Sequence, residues 1–545
     1  MNRLYYGDCL AIMQDMPLGS VDLVYLDPPF NSNRDYNAIY KDETGRPLPD
    51  QIEAFCDQWT LDDERERAVR QMPILLREAG IGDEVAEFWR LWMNALRRTN
   101  PRLLAYLSYM VQRILPMRGI LKPTGSLYLH CDPTASHYIK VMLDAIFGHD
   151  NFRSEIIWKR SHAHNSARRW GPVHDTIFFY SRTNKYRWNR TYQAYDPDYI
   201  ARFFKFDDND GRGRYWTGDL TGAGKRNGPS GQPWRGHDVA AKGRHWAYAP
   251  DELDRLDADN RIYWSKSQSA MPKLKRYLNE AKGIPAQDIL ADVPSLQRMS
   301  ASYSESLGYA TQKPLKLLER IISASSNHGD TVLDPFCGCA TTLEAAHRLG
   351  RNWIGIDIAI HAVKRVAKVR LEDRLRLVEG TDFMIEGVPR NLEGARDLWQ
   401  RDKYHFQKWA VEQVDGFVTT QRGSDGGIDG RLYFARPNFP ELRSMVIEVK
   451  GGANVGISVV RDLRGVLERE EADMAGLIVM DALGQRQVAN FAREMAAAGD
   501  LDVMGMAYPR MQILTAEEIL DGRRFLTPSV AARGSGQTVL PLSGG

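Results

Sequence analysis

The sequence predicts an α/β fold: one large sheet with crossover helices, and a smaller α/β unit at the C-terminal end. Three observations carry this prediction. Short apolar strand-like runs alternate with helical stretches through the first 375 residues. Two of those runs stop abruptly in Asp-Pro, at Asp27-Pro28 and Asp334-Pro335, so each strand opens into a loop at its C-terminal end. The alternation then resumes with its own strands between 403 and 524. A chain of 545 residues has room for two to four domains at roughly 100–200 residues each. Hydrophobic residues at 43% and charged residues at 26% describe a folded, water-soluble chain. A formal net charge of +2 excludes an all-over basic coat, so any polyanion must be met by a local patch. No run of about 18 apolar residues offers a membrane span. The first sixteen residues lack a secretory apolar core. Five cysteines fit a reducing cytoplasm rather than a disulfide scaffold.

The elements follow in order. Val21–Leu26 is the first strand, ending in Asp27-Pro28-Pro29-Phe30. Residues 52–100, rich in Glu, Arg, Leu and Ala, form a helical insertion closed by Asn100-Pro101. Leu103–Leu121 has the pattern of an amphipathic helix, stopped by Lys122-Pro123-Thr124-Gly125, and Ser126–Cys131 is a second strand. Residues 151–310 differ in composition. Nine Lys or Arg fall between 151 and 190, and seven of the 13 tryptophans lie between Trp158 and Trp264. Strands resume at Thr331–Asp334 and Trp353–Asp357. The expected division is 1–375, a linker at 376–402, a second domain at 403–524 and a disordered tail at 525–545.

Asp27-Pro28-Pro29-Phe30 has the groups that a reaction at an exocyclic amine needs. The lone pair of such an amine is delocalised into its ring. Hydrogen bonds from the amine to the Asp27 carboxylate and to a rigidly held proline carbonyl help the nitrogen rehybridise and attack. Phe30 offers a surface for a base that has left the helix. The strand ending at Asp334 is followed by Pro335-Phe336-Cys337-Gly338-Cys339-Ala340-Thr341 and a helical pattern, a turn that lets a ligand approach the backbone. Asp357 ends the next strand, about where an acid holds ribose hydroxyls. The arrangement suits a nucleoside cofactor, but G-x-G-x-x-G is absent. Gly222-Ala223-Gly224-Lys225 is followed by Arg226 and lacks the leading glycine of a phosphate loop.

These motifs resemble those of the DNA amino-methyltransferases of the β arrangement, over about 1–375. The resemblance implies a Rossmann-like sheet, S-adenosylmethionine as methyl donor, double-stranded DNA as substrate, and target recognition by 151–310. It places catalysis at Asp27, Pro28, Pro29 and Phe30. It assigns the cofactor to Asp8, Gln312, Lys313, Asp334, Phe336, Gly338, Thr341 and Asp357, with Asp8 near the adenine. An Asp heading the catalytic motif is typical of adenine-N6 enzymes, whereas Ser is typical of cytosine-N4 enzymes. The sequence departs from the family at Ala340, where a glycine is usual. In the recognition segment, Lys159, Arg160, Arg168, Arg169, Lys185, Arg187 and Arg190 are candidate phosphate contacts.

In the C-terminal unit, Ile428-Asp429-Gly430 precedes the strand Met445–Gly451, along which Glu448 and Lys450 share a face. Asp429 and Glu448 form a carboxylate pair of the kind that holds Mg2+, and Lys450 is placed to orient an attacking water. This resembles the PD-(D/E)xK nuclease core, with spacing closest to Mrr-type restriction endonucleases; Glu412 is a candidate auxiliary acid. The leading expectation is a cytoplasmic restriction-modification protein combining methyltransferase and nuclease-like domains, acting as a homodimer or with a partner restriction subunit. The alternatives are an orphan methyltransferase whose C-terminal domain only binds DNA, a cytosine-N4 enzyme, and a non-catalytic DNA-recognition subunit.

Overall fold

The computed structural model describes residues 2–29, 59–161, 170–267, 270–296, 305, 312–360, 362–364, 368–419, 428–436, 442–452 and 455–528. The described chain separates into two compact units, residues 1–189 with 288–545, and residues 190–287.

The larger unit begins with β1 (Asn2–Tyr6), α1 (Cys9–Gln14) and β2 (Val21–Leu26). All six residues of β2 are buried, the mark of a strand covered on both faces. The helical insertion is α2 (Asp63–Glu78) packed on α3 (Asp83–Thr99). Next comes α4 (Pro101–Ile120), which the sequence suggested would be amphipathic. Thirteen of its residues are buried, because it is enclosed between the insertion, α5 (Ser136–Phe147) and the sheet. β3 runs from Leu121 to Cys131, so it starts before Ser126. Pairing jumps from Val21–Leu121 to Leu23–Ser126, and the Lys-Pro-Thr-Gly stretch is a bulge that keeps Pro123 out of the ladder. Asp22 pins the bulge by accepting from Lys122 Nζ at 2.7 Å and from Thr331 N at 2.9 Å. β4 (Phe152–Lys159) and β5 (His174–Ser181) complete this half.

The smaller unit holds β6 (Tyr192–Gln193), α6 (Pro197–Phe203), β7 (Tyr215–Asp219), β8 (Thr221–Ala223), β9 (Arg244–Trp246), α7 (Pro250–Ala258), β10 (Ile262–Tyr263), β11 (Lys273–Tyr277) and β12 (Ile284–Pro285). Its strands pair antiparallel in small sheets around a core that includes Trp234, Trp246, Leu253 and Leu274. It is narrower than the compositional region 151–310, since β4 and β5 belong to the main sheet.

The chain returns through β13 (Ile289–Leu290), α8 (Leu315–Ser325), β14 (Thr331–Asp334), α9 (Thr341–Arg348), β15 (Asn352–Asp357) and β16 (Phe383–Glu386). The nine-stranded sheet has the order β13-β4-β5-β3-β2-β14-β15-β1-β16. From β3 to β16 all pairings are parallel, and β5 runs antiparallel to both neighbours. Residues 376–402, expected as a linker, carry β16 on the edge of this sheet and all of α10 (Leu392–Arg401).

The C-terminal sheet has the order β17-β18-β19-β20-β23. Its elements are α11 (Lys403–Gln413), β17 (Phe417–Val418), β18 (Gly430–Phe434), β19 (Arg443–Lys450), α12 (Ile457–Arg469), β20 (Met474–Val479), α13 (Gln485–Ala496), the hairpin β21 (Asp500–Val503) and β22 (Met506–Pro509), β23 (Met511–Thr515) and α14 (Ala516–Leu520). Phe525, expected in the tail, is buried against β20 at Gly476, and residues 529–545 lie outside the described residues. Among the described residues no helix is long and apolar enough to cross a membrane.

Candidate functional site

Strands β2 and β14 are parallel neighbours, with Val24 opposite Leu333, so the loops beginning at Asp27 and after Asp334 leave the same edge of the sheet. This is the point where the direction of winding reverses: β2, β3 and β5 lie to one side, and β15, β1 and β16 to the other. Crevices for ligands form at such points in open α/β sheets. β15 lies next to β14 and brings Asp357 to the same edge.

Three carboxylates converge there. Asp27 is ion-paired with Lys313 Nζ, while its Oδ1 is buried with no hydrogen-bond partner. Asp334 is buried, and Phe336 N donates to its Oδ1 at 3.1 Å. Burial pushes the Asp334 carboxyl up to about 7; Thr342 and the Phe336 amide oppose the rise, and the charges of Asp27 and Asp357 add to it. Asp357 accepts from Gly338 N and from Ala359 N, both at 2.8 Å, yet burial still raises it to about 6. Neighbouring acids held above their ordinary range are typical of a functional site, and they suit a cationic ligand.

The turn after β14 approaches this group through unusual backbone. Gly338 has φ 49° and Ala340 has φ 59°. Ala340 is the residue preceding α9 and is fully buried, so the departure from glycine leaves an L-residue in the left-handed region at a cost of about 1–2 kcal/mol. Asp8 caps α1 by accepting from Leu10 N at 2.8 Å, and it pairs with the buried Arg113 at 2.6 Å. Its side chain is 35% exposed, open enough to meet a ligand. β1 carries it to the same edge, since Tyr6 lies opposite Asp357.

The other sequence-derived candidates divide. Pro28 and Pro29 follow Asp27 on the edge, and Phe30 lies outside the described residues. Phe336 is half-buried near Tyr109, at 6.5 Å between ring centroids. The Thr341 hydroxyl is buried against the Cys339 thiol at 3.4 Å. Gln312 donates to the Glu305 carbonyl at 2.9 Å. Lys313, expected at the cofactor, is ion-paired with Asp27. Two of the expected phosphate contacts are held in ion pairs within the protein. Arg160 is ion-paired with Asp175 at 2.9 Å, and Arg187 is paired with Asp330 and lies 3.8 Å from Asp22. Lys159, Lys185 and Arg190 are exposed, and Arg168 and Arg169 lie outside the described residues.

Sequence reasoning missed the polar chain beneath Asp27. Burial holds the Tyr25 hydroxyl protonated, and it is hydrogen-bonded with His130 Nδ1 at 3.0 Å; His130 Nε2 lies 3.2 Å from Asp175 Oδ2. Burial acts against ionisation of Asp175, but the His130 hydrogen bond and the charges of His130, Lys313 and Arg160 outweigh it and lower its carboxyl. No local motif announces this set, which spans three strands.

A second cluster sits in the C-terminal sheet. Glu448 and Lys450 project from one face of β19, with Nζ 2.6 Å from Glu448 Oε1. Asp429 Oδ2 accepts from Val449 N at 2.7 Å. Burial raises the Glu448 carboxyl despite Lys450, and the charges of Asp429 and Asp462 add to the effect, so Asp462 on α12 is a further nearby acid. Glu448 Oε2 is buried without a hydrogen-bond partner. Two carboxylates and an unused buried oxygen fit an oxygen-loving divalent cation. Glu412 is placed elsewhere: its Oε2 accepts from Ile360 N, beyond the end of β15.

The chain is similar to known proteins in both parts. It is 36% identical over 265 residues to the type II methyltransferase M.EcaI of Enterobacter cloacae, covering 48% of this chain and 57% of that protein. It is 26% identical over 359 residues to the Mod subunit of the type III restriction-modification enzyme StyLTI of Salmonella typhimurium, covering 63% of this chain and 49% of that one. The chain thus spans about half the length of these relatives. A DNA modification methylase of Thermus thermophilus, TTHA0409, solved with S-adenosyl-L-methionine, overlays with a TM-score of 0.32 at 16% identity, covering 71% of this chain and 98% of that one. Residues 395–502 match the restriction endonuclease family model. With the DNA methylase model matched across residues 21–368, well over half its length, this chain belongs to the DNA methylase family.

Proposed function

We propose that this chain moves a methyl group from S-adenosylmethionine to the exocyclic amine of a base swung out of double-stranded DNA, with adenine N6 favoured over cytosine N4. The observation that carries the reading is the unpartnered, buried Oδ1 of Asp27, on a loop that leaves the sheet beside the Asp334 turn. Asp27 Oδ1 is free to accept one N–H of the amine, and the Pro28 carbonyl is positioned by the ring to accept the other. Lys313 anchors the second oxygen of Asp27 and leaves the first without a partner. Asp357 and Asp8 are suited to ribose hydroxyls and adenine, and the open backbone at Gly338 admits a ligand close to the turn. When bound, S-adenosylmethionine would supply an electrophilic methyl on its sulfonium.

The domain limits that fit this reading are 1–375 for methyl transfer and 403–524 for a Mg2+-dependent nuclease-like domain. For the latter, Asp429 and Glu448 would hold the metal and Lys450 would orient the attacking water. The orphaned Glu448 Oε2 favours this over a domain that only binds DNA. The unit 190–287 suits target recognition, with exposed Trp264 stacked on Trp234 at 5.5 Å. A homodimer or a partner restriction subunit, working in the cytoplasm, completes the proposal. The test is transfer of radiolabelled methyl to DNA by the full chain. Asp27→Ala is expected to abolish transfer while S-adenosylmethionine still binds; retained transfer in that variant would falsify the assignment.

A further inference from the structure

Helix α11 opens the C-terminal domain, yet His405, Glu412 and Gln413 on it contact the methyltransferase part of the chain. Glu412 Oε2 accepts from Ile360 N at 3.3 Å, three residues past Asp357. Lys364 Nζ donates to Gln413 Oε1 at 3.0 Å. Tyr6, the register partner of Asp357, meets the His405 ring edge-on at 5.5 Å. Phe406, Trp409, Ala410 and Val411 of α11 share one core with Leu4 and Tyr6 on one side and with Ile447 and Val449 of β19 on the other. Packed interiors transmit strain rather than absorb it, so the two domains meet through a continuous wall.

Lys408 lies one turn before Glu412 on the same face of α11, with its Nζ 4.7 Å from the Tyr404 ring centroid. Its positive charge acts on Asp357 against the effect of burial. The other titratable groups that interact with Asp357 are Asp334 and Cys337 after β14, Tyr6 of β1, Cys9 of α1 and Tyr109 of α4. Burial raises the two thiols and two phenols above neutrality, and Asp334 is itself an acid, so none of these favours a charged Asp357.

We propose that α11 forms one wall of the cofactor pocket, with Lys408 and Glu412 as positioning residues for Asp357 and the turn after it, and that cofactor occupancy is linked through this helix to the nuclease-like domain. The proposal rests on the cofactor reading given above. By linkage, a cofactor that binds better when α11 is docked must stabilise the docked helix in return. Binding of S-adenosylmethionine to the full chain is measured by calorimetry across pH 5.5–8, with hydrogen exchange of residues 403–413 followed in parallel. Lys408→Met is expected to weaken binding about five- to tenfold at pH 6.5 and to move the acid limb of affinity to higher pH, because a positive charge that favours ionised Asp357 is removed from the α11 face bearing Glu412. Glu412→Gln is expected to weaken binding about two- to fivefold at all pH values. Lys403→Ala, on the exposed side of α11, leaves affinity unchanged. Saturating cofactor slows exchange in 403–413. Asp357→Ala separates the two levels of the argument. Wild-type affinity in that variant removes the cofactor reading itself. Lost affinity there, with unaltered affinity and pH profile in Lys408→Met and no added protection of α11, overturns the linkage alone.

Discussion

Asp334→Asn tests whether the crevice holds acids at a cost to the fold. Asn keeps an oxygen for the Phe336 amide, which donates at 3.1 Å, but cannot ionise. The folded Asp334 carboxyl sits at about 7 against an ordinary 3.8. At about 1.36 kcal/mol per pH unit, ionising it in the folded protein costs on the order of 4 kcal/mol. Below pH 3.8 the group is protonated in both states and contributes nothing. Between pH 3.8 and about 7 the folded state keeps a proton that the unfolded state has released, so stability falls as pH rises. Above about 7 both states are ionised and the full cost remains. The variant is therefore expected to lie within about 1 kcal/mol of the wild type near pH 4.5 and to exceed it by up to about 4 kcal/mol at pH 8. Denaturant unfolding followed by tryptophan fluorescence reads this, since Trp353 is buried on the adjacent strand β15. The same variant is expected to bind S-adenosylmethionine at least about tenfold more weakly, because a sulfonium loses an opposing charge, roughly 1.4 kcal/mol. A stability difference equal at pH 4.5 and 8, or a variant less stable at pH 8, would refute the reasoning.

Other outcomes follow from the same geometry. Because Asp357 sits at about 6, affinity for S-adenosylmethionine should decline as pH falls through that value; a flat calorimetric profile from pH 5 to 8 would contradict its role. Ala340→Gly should change stability by less than about 1 kcal/mol, as relief at φ 59° offsets glycine's entropy, whereas Ala340→Val should lose about 2 kcal/mol or more in denaturant unfolding. Glu448→Ala should remove Mg2+-dependent nicking of plasmid DNA and leave methyl transfer within about twofold of wild type, because its side chain lies in the C-terminal sheet. Arg187→Ala should destabilise the fold by about 1–2 kcal/mol without altering DNA affinity at fixed salt, since its partners are Asp330 and Asp22; a selective loss of DNA binding would reverse that assignment.

Much of the site was legible because its signals are local. An apolar run stopped by Asp-Pro is a strand ending in a loop, and β2 and β14 each show it. What escaped depends on distant pairing. Lys313 and Asp27 are 286 positions apart, and no periodicity in the sequence reports their meeting. Arg160 and Arg187 were read as phosphate contacts because positive charge and aromatics cluster there, but Asp175 of β5 pairs with the first and Asp330, just before β14, with the second. The region 151–310 looked uniform by composition, yet β4 and β5 are ordinary strands of the main sheet, and only 190–287 stands apart. Residues 376–402 read as a connecting helix or linker because they are charged; α10 is such a helix, whereas the four-residue edge strand β16 is too short to show a period.

The strand order also sets a timetable for a chain made from its first residue onward. The half of the sheet bearing Asp27 uses neighbouring sequence, β2 through β5, and is available once Ser181 has been made. The other half needs β1 from the start of the chain together with β14, β15 and β16, so it must wait for Glu386. The last strand of the C-terminal sheet ends at Thr515, about 130 residues later. At roughly 5–20 residues per second on the ribosome, the nine-stranded sheet has all its strands some 6–26 seconds before the C-terminal sheet does. On the function proposed above, each newly made copy would complete the sheet suited to methyl transfer before the sheet suited to cleavage.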